Sequence, residues 1–113
     1  METKANMQAQ RCAGLTHRMR VIQQEITTQR RELEHAEGGI RTQERRLENL
    51  DSQARRTGDP EGFSGEIAAA RRELSQEQRK RDRIEQKIRD LETDLRELVN
   101  EFNSLRCGRD REA

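Results

Sequence analysis

Apolar side chains recur along almost the whole chain at alternating intervals of three and four residues, and this rhythm is broken once. Such a 3.5-residue repeat gives a helix one narrow apolar seam and winds paired helices into a left-handed supercoil. Before the break the first seam position (a) falls at Ala5, Cys12, Met19, Ile26, Leu33, Ile40, Leu47 and Ala54. The second (d) falls at Gln8, Leu15, Ile22, Gln29, Ala36, Gln43, Leu50 and Thr57. After the break a falls at Ile67, Leu74, Arg81, Ile88, Leu95 and Phe102, and d at Phe63, Ala70, Glu77, Ile84, Leu91, Leu98 and Leu105. Off the seam, large aliphatics are nearly confined to Met7, Val21 and Val99. The pattern therefore predicts an all-α chain of two long helices in a coiled coil. Helix 1 covers 1–57 with its first residues frayed, a turn covers 58–62, helix 2 covers 63–107, and 108–113 form a frayed tail.

Composition excludes the main competitor. Only 29% of the residues are hydrophobic and 2% aromatic, too little for a globular core in 113 residues. Low hydrophobicity alone suggests disorder, but the net charge of +1, the single proline and the strict apolar spacing argue for helices that each bury one stripe. Helices this long need a partner for the seam, because propensity alone does not hold them.

The break at Gly58-Asp59-Pro60-Glu61-Gly62 reads as a turn. From Ala54 to Ile67, the seam positions on either side, is one residue short of two heptads, so a continuous helix would send the second seam to the wrong side. Gly58 suits a helix stop, and Asp59-Pro60-Glu61 a start, with Asp59 as N-cap and Pro60 at the first position. Gly62 and Gly65 leave Ser64 as an alternative start.

A turn leads to an antiparallel helical hairpin; the alternative is a parallel dimer interrupted at the break. A hairpin register with Ala54 opposite Phe63 pairs Arg18 with Glu101, Glu32 with Lys87, Arg46 with Glu73, Arg30 with Glu85 and Glu44 with Arg71, and opposes Glu25 to Asp94. A parallel dimer gains as many flanking pairs, each of only a few tenths of a kcal/mol (~0.3). It also stacks Glu77 on Glu77 and Arg81 on Arg81 in the seam. The hairpin instead sets Arg81 against small Ala36, and Glu77 against Ile40, from where Glu77 can reach Arg81 one turn away. These seam positions favour the hairpin.

The interaction seam is thus Leu15, Met19, Ile22, Ile26, Leu33, Ile40, Leu47 and Leu50 against Phe63, Ile67, Leu74, Ile84, Ile88, Leu91, Leu95, Leu98, Phe102 and Leu105. Gln29 and Gln43 fix register within it. Gly38-Gly39 interrupts helix 1 opposite Arg79, Lys80 and Arg81, the densest basic run, and marks a candidate docking notch. The bland reading is a soft spot beside a solvated charged face. Cys12 and Cys107 lie equally far from the turn, which raises a redox clasp at the open end. Cys107 falls on the outward side of the repeat, however, so a bridge requires the end to fray, for which Gly108 gives freedom. The pair reads first as free thiols.

The start METKANMQAQR lacks the apolar core of a signal peptide, and no apolar run is long enough to span a membrane. The expected location is intracellular, in the cytoplasm. No nucleophile–base pair, phosphate loop or metal-ligand set is spaced for catalysis, and His17 and His35 stand alone. The expectation is a non-enzymatic interaction or scaffold module without cofactor or metal, of the cytoskeletal, tethering or assembly kind. It would engage protein partners, itself included, by coiled-coil packing. Balanced charge argues against nucleic acid. Two alternatives remain: binding of a polyanion, such as a microtubule or nucleic acid, through Arg-rich bands, and a disordered segment that folds on a partner.

Overall fold

The computed structural model describes residues 4–108. Residues 1–3 and 109–113, which the sequence assigns to the start of helix 1 and to the frayed tail, lie outside the described residues. Helix α1 runs Lys4–Thr57 and helix α2 runs Ser64–Ser104, with a single 3-10 turn, Pro60–Phe63, ahead of α2. There is no strand among the described residues. The chain divides into two compact units, each holding a stretch of both helices: residues 30–86, and the residues up to Gln29 with those from Lys87 onward.

In the unit of residues 30–86 the chain reverses direction. Gly58 ends α1 at φ +67°, a left-handed conformation that glycine adopts without cost from a Cβ. Arg55 and Arg56 lie in the last turn of α1, where cations complement the negative helix end. Asp59 then caps the 3-10 turn, and its Oδ1 accepts from the Gly62 N–H at 3.2 Å. Thus Asp59 and Pro60 start the short turn, and α2 proper begins at Ser64. The helices return antiparallel, because Arg46 Nη1 meets Glu73 Oε2 at 3.1 Å while Gly39, earlier in α1, meets Glu77, later in α2. Ala36, Ile40, Leu50, Ala54, Ala70 and Ile84 are buried. Leu33, Leu47, Phe63, Ile67 and Leu74 are half-buried.

In the unit of the helix ends the same antiparallel order holds. Arg11 pairs with Glu101 at 3.7 Å, and Glu25 pairs with Lys87 at 3.3 Å. Leu15, Ile26, Ile88, Leu98 and Cys107 are buried, and Met19, Ile22, Leu91, Leu95, Phe102 and Leu105 are half-buried. Met7, Val21 and Val99, the aliphatics off the repeat, are exposed.

Two helices alone shield a seam only partly, and no large side chain among the described residues is fully buried. The chain pairs with itself, so the parallel arrangement is not the one adopted. The flanking charges follow a different diagonal from the one expected near the helix ends. Glu101 takes Arg11 instead of Arg18, and Glu25 turns from the like charge of Asp94 to Lys87. Each pair shifts by one heptad on α1 or α2, which long side chains span without changing the seam.

Candidate functional site

The largest departure from the sequence reading is at the helix ends. Cys12 and Cys107 are joined by a disulfide, with Cα atoms 5.5 Å apart across a sequence separation of 95 residues. The free-thiol reading assumed that α2 continues to residue 107, which would aim Cys107 outward. Instead α2 stops at Ser104 and the chain folds back. The Cys107 N–H donates to the Phe102 carbonyl at 3.1 Å and the Arg106 N–H to the Asn103 carbonyl at 3.0 Å. That pair of bonds is a Schellman stop. Its left-handed position is filled by Arg106 at φ 56°, not by Gly108, where the sequence reading put the freedom. The reversal turns Cys107 from the outside of the repeat to the seam, where it packs with Leu15 and Leu98 and with half-buried Met19, Phe102 and Leu105. The Gln8 side-chain amide donates to the Leu105 carbonyl, one of the acceptors a helix end leaves open. Beside the clasp lies a cleft of about 660 Å³, whose wall includes Ala9, Ala13, Thr16, His17, Met19 and Phe102.

The proposed notch resolves into two unlike glycines. A Cβ on Gly39 would lie 2.8 Å from Glu77 Oε2 and 2.9 Å from its Cδ. Gly39 therefore makes room for a seam carboxylate that leaves the core across α1. This also corrects the expected Glu77–Arg81 contact: Arg81 instead pairs with Asp82 at 3.2 Å. Gly38 faces outward, where only Arg41 Nη2, at 3.9 Å, would meet a Cβ. It borders a cleft with Arg31, His35 and Arg41, whereas Arg79 lies in another cleft with Arg71, Arg72, Ser75 and Gln76. Gly38 and Arg79 thus do not share one cleft.

Of the acids beside the basic run, one pairs within it and two are turned elsewhere. Glu73 holds Arg46, Asp82 holds Arg81, and Glu77 lies over Gly39. Arg71, Arg72, Arg79, Lys80 and Arg83 are exposed and form no ion pair among the described residues. Within the seam, Gln43 has a buried Oε1 without a hydrogen-bond partner, while Gln29 Nε2 reaches Glu25 at 3.5 Å. No group of three or more His, Cys, Asp or Glu side chains is arranged to hold a metal among the described residues.

The clasp was the feature that sequence reasoning underweighted. Its signals were the equal distance of the cysteines from the turn and the weak helix formers Asn103 and Ser104 just before Cys107. The Gly39–Glu77 contact was signalled by a charged residue in the seam opposite a glycine. No helix among the described residues is long and apolar enough to cross a membrane. Comparison with protein families, curated proteins and solved structures finds no match for this chain.

Proposed function

We propose that the chain is a non-enzymatic protein-interaction module, a clasped helical hairpin that presents its outer helix faces to partners. The observation that carries this reading is where the apolar residues go. The seam is spent on pairing α1 with α2, and the outer surface keeps charged and polar side chains, with a band of unpaired cations on α2 from Arg71 to Arg83. A partner of this surface would add polar and charged contacts to a scaffold already formed, so association would depend on complementary charge more than on further apolar burial. Self-association through the same faces is part of the reading. A closed disulfide persists where thiols are oxidised, which favours such a compartment over the reducing cytoplasm that the sequence suggested.

The unpaired arginines also favour a second reading, binding of a polyanion. The near-zero net charge weighs against it. Titration of wild type and of Arg72→Glu/Arg79→Glu against a candidate partner, at ~50 and ~200 mM salt, separates the two. A protein partner whose binding is lost on charge reversal supports the module, and that binding should weaken at the higher salt as a charge-driven contact does. Binding to heparin or duplex DNA that collapses over that salt range supports the polyanion reading. Far-UV circular dichroism of the chain alone tests the third expectation, since a segment that folds only on a partner would show little helix.

A further inference from the structure

The chain carries paired basic residues at Arg30-Arg31, Arg45-Arg46, Arg55-Arg56, Arg71-Arg72 and Arg79-Lys80-Arg81. Four of these sites lie within helices, where peptide groups on both sides of the pair are held in the hydrogen-bonded ladder. The fifth is different. Arg55-Arg56 occupies the last turn of α1, one residue before the helix ends at Thr57. The carbonyl of Arg56 is among the terminal ones that no intrahelical N–H reaches. The next residues, Thr57 to Gly62, are all exposed, and Gly58 has already left the helical conformation. Opening this turn releases the Thr57 hydroxyl from the Gln53 and Ala54 carbonyls and one small seam residue, Ala54. Opening the same length around Arg45-Arg46 would pull Gln43, Leu47 and Leu50 out of the seam.

We propose that Arg55-Arg56 is a cleavage site for an endoprotease that recognises paired basic residues, and that the clasp keeps the two arms together afterwards. Water adds across the Arg56–Thr57 peptide bond, leaving a carboxylate on Arg56 and an amine on Thr57; no other reactant is needed. The cut falls inside the loop closed by Cys12–Cys107, whose ends are 95 residues apart. The product is one molecule of two chains, residues 1–56 and 57–113, held by the disulfide. Cleavage alone leaves the arms linked, and reduction alone leaves one chain. Only both together let the helices part, so the tip and the clasp form a two-condition release.

The test uses the intact oxidised protein and a calcium-dependent subtilisin-like endoprotease that requires paired basic residues. Products are followed by mass spectrometry with and without reductant. The expected first product gains the mass of one water without reductant and gives residues 1–56 and 57–113 with it. Cleavage at the tip should exceed that at any other basic pair by at least ~10-fold, as local opening is easiest there. Arg55→Gln/Arg56→Gln, changed at two exposed positions, should keep its helicity by circular dichroism and remain intact over the same period. The proposal is overturned if a pair inside a helix is cut first, or if the double variant is cut as fast as wild type. It is also overturned if the nicked protein separates without reductant, or if the native chain resists cutting while the heat-unfolded chain is cut.

Discussion

Reducing the clasp is the perturbation with the largest expected effect on this fold. The disulfide closes a loop of 95 residues. A cross-link of that span removes about 15.7 cal/mol/K of entropy from the unfolded chain, or about 4.7 kcal/mol at 25 °C. That value is a ceiling, because compact unfolded chains already bring distant residues together. For 113 residues the unfolding entropy is about 0.24 kcal/mol/K, so the midpoint should fall by up to about 20 °C on reduction. The loss should also have a place. The seam near the clasp rests on Leu15, Leu98 and half-buried neighbours, so amides near Cys12 and from Leu98 to Cys107 should exchange first in the reduced protein. The assay is thermal melting by circular dichroism at 222 nm, with and without a phosphine reductant, alongside Cys12→Ser/Cys107→Ser. The variant should melt with the reduced wild type, and adding reductant to it should change nothing. Equal midpoints for oxidised and reduced wild type, within about 2 °C, would refute the reasoning, which rests on the bridge restricting the unfolded chain.

Four further substitutions read single features. Gly38→Ala should stabilise by about 1 kcal/mol through helix propensity, seen as a higher denaturant midpoint. Gly39→Ala should gain clearly less, because its Cβ would meet the Glu77 carboxylate at 2.8 Å, and adding Glu77→Ala should restore the gain. Arg106→Gly should raise the melting temperature of the oxidised protein by an amount equivalent to about 1 kcal/mol, by removing a left-handed residue that carries a Cβ; a lower midpoint would contradict the turn described. Gln43→Leu should stabilise by about 1–2 kcal/mol in chemical denaturation, since the buried Oε1 has no partner to lose.

The seam was legible because one rule governs it. Each a and d position from Gln8 to Ala54 and from Phe63 to Leu105 is buried or half-buried, and almost every other position is exposed. The turn was legible because Gly58, Asp59 and Pro60 each have a narrow conformational preference. The same heptad rule misled at Cys107, because it is valid only while the helix lasts. Arg106 in a left-handed conformation is an unfavourable local choice, held by the Schellman bonds and the disulfide around it, and no local rule anticipates that. The ion pairs near the helix ends were missed for another reason: flanking side chains are long enough to choose between two partners a heptad apart. The Gly39–Glu77 fit depends on the path of one side chain out of the seam, which periodicity does not encode.

The central claim is that the chain folds back on itself, and the distance between Arg46 and Glu73 tests it most directly. Spin labels attached through ketone-bearing residues at these two positions leave the native cysteines alone, and dilution with unlabelled protein removes signals between molecules. The two side chains meet at 3.1 Å across the helix pair, so the labels should lie within ~20 Å of each other by pulsed electron resonance, given axes ~8–10 Å apart. The positions are 27 residues apart in sequence, and a helix running straight through the break would separate them by about 40 Å. A distribution centred there would contradict the hairpin.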